Sequence, residues 1–134
     1  MSDHKYTDNY LDAAIFRGQT IKRIEQKPMA DGEGIEFETE DGVFAMFHSQ
    51  DCCESVNIYQ IDGDLQSLVG SPLVVAKESS GPDKPSKVKP PEYPDESVTW
   101  TVYTFKTKTA KTRIVWHGTS NGYYSESVQI SKIG

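Results

Sequence analysis

Residues Gly34-Ile-Glu-Phe-Glu-Thr-Glu40 alternate their side chains, with Ile35, Phe37 and Thr39 set against Glu36, Glu38 and Glu40. A period of two belongs to an extended strand, where successive side chains point to opposite faces; a helix would scatter these residues around its axis. Asp41-Gly42 is a two-residue turn signal, and Val43-Phe-Ala-Met-Phe-His48 returns, so the segment predicts a hairpin. With a turn of that length Thr39 opposes Phe44, Phe37 opposes Met46 and Ile35 opposes His48, which ends the core-facing row. The glutamate row faces solvent, as in a half-buried antiparallel sheet.

The rest of the chain follows the same grammar. Tyr10 to Phe16 suits one or two helical turns, and Gln19 to Gln26 a strand ended by Pro28 and the Asp31-Gly-Glu-Gly34 cluster. Val56 to Tyr59 predicts a short strand, Leu65 and Leu68 a helical turn capped by Asp62 or Asp64, and Leu73 to Ala76 another strand. Ser79 to Glu96 holds Pro82, Pro85, Pro90, Pro91 and Pro94 among Lys, Ser and Asp, the composition of a mobile loop inserted between strands. Strands resume at Ser97 to Lys106, Thr112 to His117 and Tyr123 to Ile133. In the first of these, Val98, Trp100 and Val102 share one face and Tyr103 and Phe105 lie on the other, as in a strand covered on both sides. The expected fold is mainly β, with α+β as the alternative. It is an antiparallel sheet of about six to seven strands, curled or closed into a partial barrel, with one short helical element. Residues 1–18 read as a partly flexible N-terminal extension, and 19–134 as a single β-rich domain with its mobile loop at 79–96.

A formal net charge of -6 argues against direct nucleic-acid binding, which relies on Lys and Arg releasing phosphate counterions. The sequence offers no apolar run of roughly 18 residues and no hydrophobic signal core near Met1, so no membrane association is expected and the protein should stay in the cytoplasm where it is made. The two cysteines, Cys52 and Cys53, are adjacent, and neighbouring residues rarely reach disulfide geometry. They are expected to be free thiols in a reducing compartment.

Two segments concentrate chemistry. In His48-Ser-Gln-Asp-Cys-Cys-Glu-Ser55, potential ligands and nucleophiles crowd together: His48, Asp51, Cys52, Cys53 and Glu54. In Trp116-His-Gly-Thr-Ser-Asn-Gly-Tyr-Tyr-Ser-Glu-Ser127, Asn121-Gly122 is a turn signal whose register pairs His117 with Glu126 and Val115 with Val128. Zinc would need thiolate and imidazole ligands, but adjacent cysteines lack zinc-knuckle spacing, so no metal or cofactor is expected. A catalytic arrangement would use Cys52 or Cys53 as nucleophile, with His117 as base and Glu126 orienting it, should the segments meet in space. A binding pocket would use His48, Asp51 and Glu54 with Trp116, Asn121, Tyr123 and Tyr124 as aromatic walls and directed polar groups. The plain alternatives are a small buried cysteine, capping carboxylates, a strand-stabilising His–Glu pair and core tryptophans.

At these residues the sequence resembles an uncharacterised family of small proteins encoded by bacteriophages and prophages. The resemblance lies in His48-Ser-Gln-Asp-Cys-Cys-Glu-Ser55, Ile61-Asp-Gly-Asp-Leu65 with Gly70-Ser-Pro72, Thr99-Trp100, and Trp116-His117-Gly118 leading to Ser120-Asn-Gly-Tyr-Tyr-Ser-Glu126. It runs in outline from Gly18 to Ile130. It implies a phage accessory protein in a bacterial cytoplasm and carries over no catalytic residue. The expected function is therefore a non-enzymatic binding module for a host protein or a small ligand, acting against host defence. The competing expectation is a small cysteine-dependent hydrolase or transferase.

Overall fold

The computed structural model describes residues 11–88, 90, 97–120 and 125–134. Eight strands lie in them: β1 (Arg23–Met29), β2 (Gly32–Thr39), β3 (Gly42–Phe47), β4 (Ser55–Asp62), β5 (Val75–Gly81), β6 (Ser97–Lys106), β7 (Lys111–Ser120) and β8 (Gln129–Lys132). They form two four-stranded antiparallel sheets, ordered β1-β2-β3-β8 and β4-β7-β6-β5. The mainly β, antiparallel expectation holds, but the single curled sheet of six to seven strands is corrected to two open sheets packed face to face. Among the described residues helical structure is confined to two 3-10 turns, Ala13–Phe16 and Leu65–Leu68, capped by the side chains of Asp12 and Asp64.

The hairpin forms two residues out of its expected register. Thr39 pairs with Gly42, Phe37 with Phe44 and Ile35 with Met46, so Glu40-Asp41 makes the turn. Gly42 belongs to the ladder because its φ of 133° and the close approach of the Gly134 carbonyl leave no room for a side chain there. A shift of two preserves which face each side chain occupies, so Ile35, Phe37, Phe44 and Met46 still line the core. Pro28 does not end its strand: β1 is an edge, where a missing N–H costs no ladder bond.

A second correction concerns the chain after β7. Both edges of β7 are taken, by β4 and β6, so the returning chain cannot pair with it. Residues 125–128 instead cross to the other sheet, where β8 pairs with β3. Residues 11–18 pack onto the domain: Phe16 is fully buried, its ring edge-on to Phe37 at 5.0 Å and Phe44 at 4.8 Å, and Leu11 N–H donates to the Ile130 carbonyl. The proline-rich segment begins later than expected, since Ser79 to Gly81 belong to β5. Its Val88 is buried on the outer face of the second sheet with Trp100 and Val115.

Candidate functional site

The inward-facing rows of the second sheet change character along their length. On β6 the row runs Phe105, Tyr103, Thr101, Thr99, Ser97; on β5 it runs Ala76, Glu78, Ser80; on β7 it runs Ile114, Trp116, Gly118, Ser120. Apolar side chains at one end meet those of the first sheet in the core, where Trp116 Nε1 also donates to Met46 Sδ at 3.4 Å. Hydroxyls and carboxylates fill the other end, and a cavity of about 410 Å³ opens there. Its walls include Asp12, Glu78, Thr99, Thr101 and Glu126, and among the described residues no Lys, Arg or His lines it.

Glu126 is the cavity's most buried carboxylate, 7% exposed. It lies over Gly118, where an added Cβ would stand 2.9 Å from Glu126 Cβ, and its Oε2 accepts from the Ser120 hydroxyl. Burial pushes this carboxyl up, but the Ser120, Ser97 and Thr99 hydroxyls and the charge of His117 outweigh it and hold the pKa below the usual range. Oε1 has no partner at hydrogen-bond distance among the described residues. Glu78 shows the opposite balance. It accepts from Ala13 N–H at 2.9 Å, yet burial above all, aided by the Asp12 charge, raises its pKa.

One wall, 125–129, is fastened by the first motif. His48 Nδ1 donates to the Ser127 carbonyl at 2.7 Å, and Nε2 meets Glu54 Oε2 at 2.8 Å. Glu54 also accepts from Asp51 N–H at 2.7 Å and Cys52 N–H at 3.0 Å, which draws the intervening turn around its carboxylate. Burial would raise the Glu54 pKa, but the N–H groups of Cys52, Asp51 and Glu54 itself, with the His48 ring, lower it to about 2. The two motif segments thus meet twice, at His48–Ser127 and where Ser55 pairs with Thr119.

They do not meet as a thiol–imidazole–carboxylate array. Cys52 and Cys53 lie side by side on the exposed turn gathered on Glu54. His117 has Asn57 and Trp100 as cross-strand neighbours, not Glu126, because β4 and β6 flank it. Its ring packs 4.5 Å from Trp100 and 5.3 Å from Tyr59 on the sheet's outer face, while Glu126 sits over the inward Gly118. Trp116 is a core residue at 1% exposure, and Asp51 lies on the exposed turn. Asn121, Tyr123 and Tyr124 fall outside the described residues. Sequence reasoning missed Asp12, Glu78, Ser80, Thr99 and Thr101. Their signal was the alternation of Thr99 and Thr101 with Trp100, on the same face as Tyr103 and Phe105.

Among the described residues no group of three or more His, Cys, Asp or Glu could hold a metal ion, and no helix is long and apolar enough to cross a membrane. A family model described as a domain of unknown function, DUF7448, matches residues 13–130, and the chain belongs to that family. No curated protein and no solved structure matches it.

Proposed function

We propose that this DUF7448 protein is a non-enzymatic binding module that takes a small, donor-rich polar ligand in the cavity between its sheets. The observation that carries the reading is Glu126: a nine-tenths buried carboxylate, kept ionised, with one oxygen unpartnered among the described residues, in the wall of a 410 Å³ cavity. A buried acceptor without a donor is costly, and a ligand that brings N–H or O–H groups lowers that cost. The other polar walls, Glu78, Asp12 and hydroxyls, accept hydrogen bonds as well, and among the described residues the lining offers no cation to hold an anion. Amines and polyols fit this chemistry. In the setting implied by the resemblance, a phage accessory protein in a bacterial cytoplasm, such a ligand would come from the host, and its capture would blunt a host defence.

Native mass spectrometry of the protein after incubation with a bacterial small-molecule extract tests the reading. A bound species of small-molecule mass, absent after denaturation and absent from the Glu126→Gln variant, is expected. Spectra of the bare chain only, for folded wild-type protein, would overturn it.

A further inference from the structure

The outer face of the second sheet carries charge of the opposite sign. The strand register sends Lys77 of β5, Lys106 of β6, and Lys111 and Arg113 of β7 to the same side, away from the core. Two cavities on this face, of about 470 and 380 Å³, share Lys111 and Arg113 and so adjoin. The first adds Lys77 and the second Lys87, giving the pair of cavities, among the described residues, Lys77, Lys87, Lys111 and Arg113 against the two acids Asp62 and Asp83. One of those acids is already engaged: Asp62 Oδ2 accepts from Arg113 Nη2 at 2.6 Å and from Nε at 3.0 Å. The surplus is positive in a chain whose net charge is -6.

The groove is also built. Arg113 Nη2 donates to the Ser86 carbonyl at 2.7 Å and Gln60 Nε2 to the Lys87 carbonyl at 3.3 Å, which fasten the segment above the sheet, while Lys84 Nζ donates to the Val88 carbonyl within it. Lys87 is held there at φ 61°, a conformation that a residue with a side chain adopts at a cost, and the buried Val88 anchors it. Val102 and Trp100 give the larger cavity its apolar lining.

We infer that this groove is a second binding site, for the phosphate group of a small organic phosphate, with Lys77, Lys111 and Lys87 supplying charge around a pre-oriented Arg113. A doubly charged, multi-acceptor anion matches a fixed guanidinium flanked by mobile ammonium groups. The ester's organic part lies toward Val102 and Trp100, so an aryl phosphate binds better than free phosphate. The site stands independently of the cavity on the inner face, which is lined by carboxylates and repels the same ligand.

The test is a titration of the full chain, at low ionic strength, with inorganic phosphate and with phenyl phosphate, followed by amide chemical shifts. Saturable shifts at Lys77, Lys87, Lys111 and Arg113, with phenyl phosphate several-fold tighter, are expected. The double variant Lys77→Gln, Lys111→Gln should weaken phenyl phosphate about tenfold or more by removing two nearby charges, while Lys22→Gln, on the first sheet's side, leaves it unchanged. The unperturbed inward-facing resonances report that the double variant is folded. Tighter binding of free phosphate would identify an inorganic-anion site and overturn the organic-phosphate assignment. Non-saturating shifts, or equal weakening by Lys22→Gln, would overturn the site altogether.

Discussion

The His48 ring spans two acceptors, the Ser127 carbonyl at 2.7 Å and the Glu54 carboxylate at 2.8 Å, with the His48 and Glu54 side chains almost wholly buried. Neither acceptor can donate, since a carbonyl has no proton and Glu54 ionises near pH 2. The ring therefore faces an acceptor at each of its nitrogens. It links the cysteine-bearing turn to the wall of the cavity, so the first motif has a structural task in positioning the second.

Breaking this link should be costly. His48→Leu leaves the Glu54 charge buried without its ring partner and frees the Ser127 carbonyl, and removal of one member of a buried pair costs about 3–5 kcal/mol. Urea denaturation of the variant should show a loss in that range, and faster hydrogen exchange at Ser127 and Val128 should accompany it.

The Glu54 carboxyl makes stability fall in acid. Its folded pKa of about 2 lies below the ordinary 4.5, so its contribution is complete above pH 4.5 and disappears as pH falls toward 2. By linkage the amount is up to about 3 kcal/mol. Denaturation midpoints measured from pH 6 to 2.5 should decline through that window. In Glu54→Gln the decline should be shallower from a lower starting stability.

Gly118→Ala tests the close approach that seats Glu126. The new Cβ would stand 2.9 Å from Glu126 Cβ, 3.0 Å from the Glu126 carbonyl and 3.2 Å from Val56 Cγ2, so backbone as well as side chain must move. A loss of about 1–3 kcal/mol is expected from overpacking. Ligand capture should fall with it, whereas Gly81→Ala, with open space at its Cβ, should leave stability within about 0.5 kcal/mol.

Phe16→Ala tests whether the N-terminal turn belongs to the core. Phe16 is fully buried against Phe37 and Phe44, and loss of such a ring costs about 3–5 kcal/mol. A flexible extension would lose almost nothing in the same denaturation measurement.

Local patterns carried a good part of this fold in the sequence. Alternation identified the two faces of β2 and β3 and the division of β6 between Trp100 and Tyr103. Asp64, one of two candidate caps, does cap its turn. Partners distant in sequence were not readable. Nothing near His117 announces that Asn57 and Trp100 occupy both its flanks, and that occupancy is what sends Glu126 elsewhere. The cavity was hidden for the same reason: Thr99 and Thr101 alternate as in any strand, and only the crossing of 125–128 to the other sheet encloses them. Glu54 was visible as a polar residue in a dense motif, but its role depends on Ser127, reached through His48.

A ligand held in the cavity should be displaced by Ser80→Trp. Ser80 is exposed and lines the cavity, so a large side chain there fills the space without entering the apolar core. Saturation-transfer NMR with a set of small amines and polyols should yield binders of the wild-type protein that vanish on Ser80→Trp while the variant's thermal midpoint is unchanged. The same binders persisting on Ser80→Trp, or none on the wild type, would contradict the account.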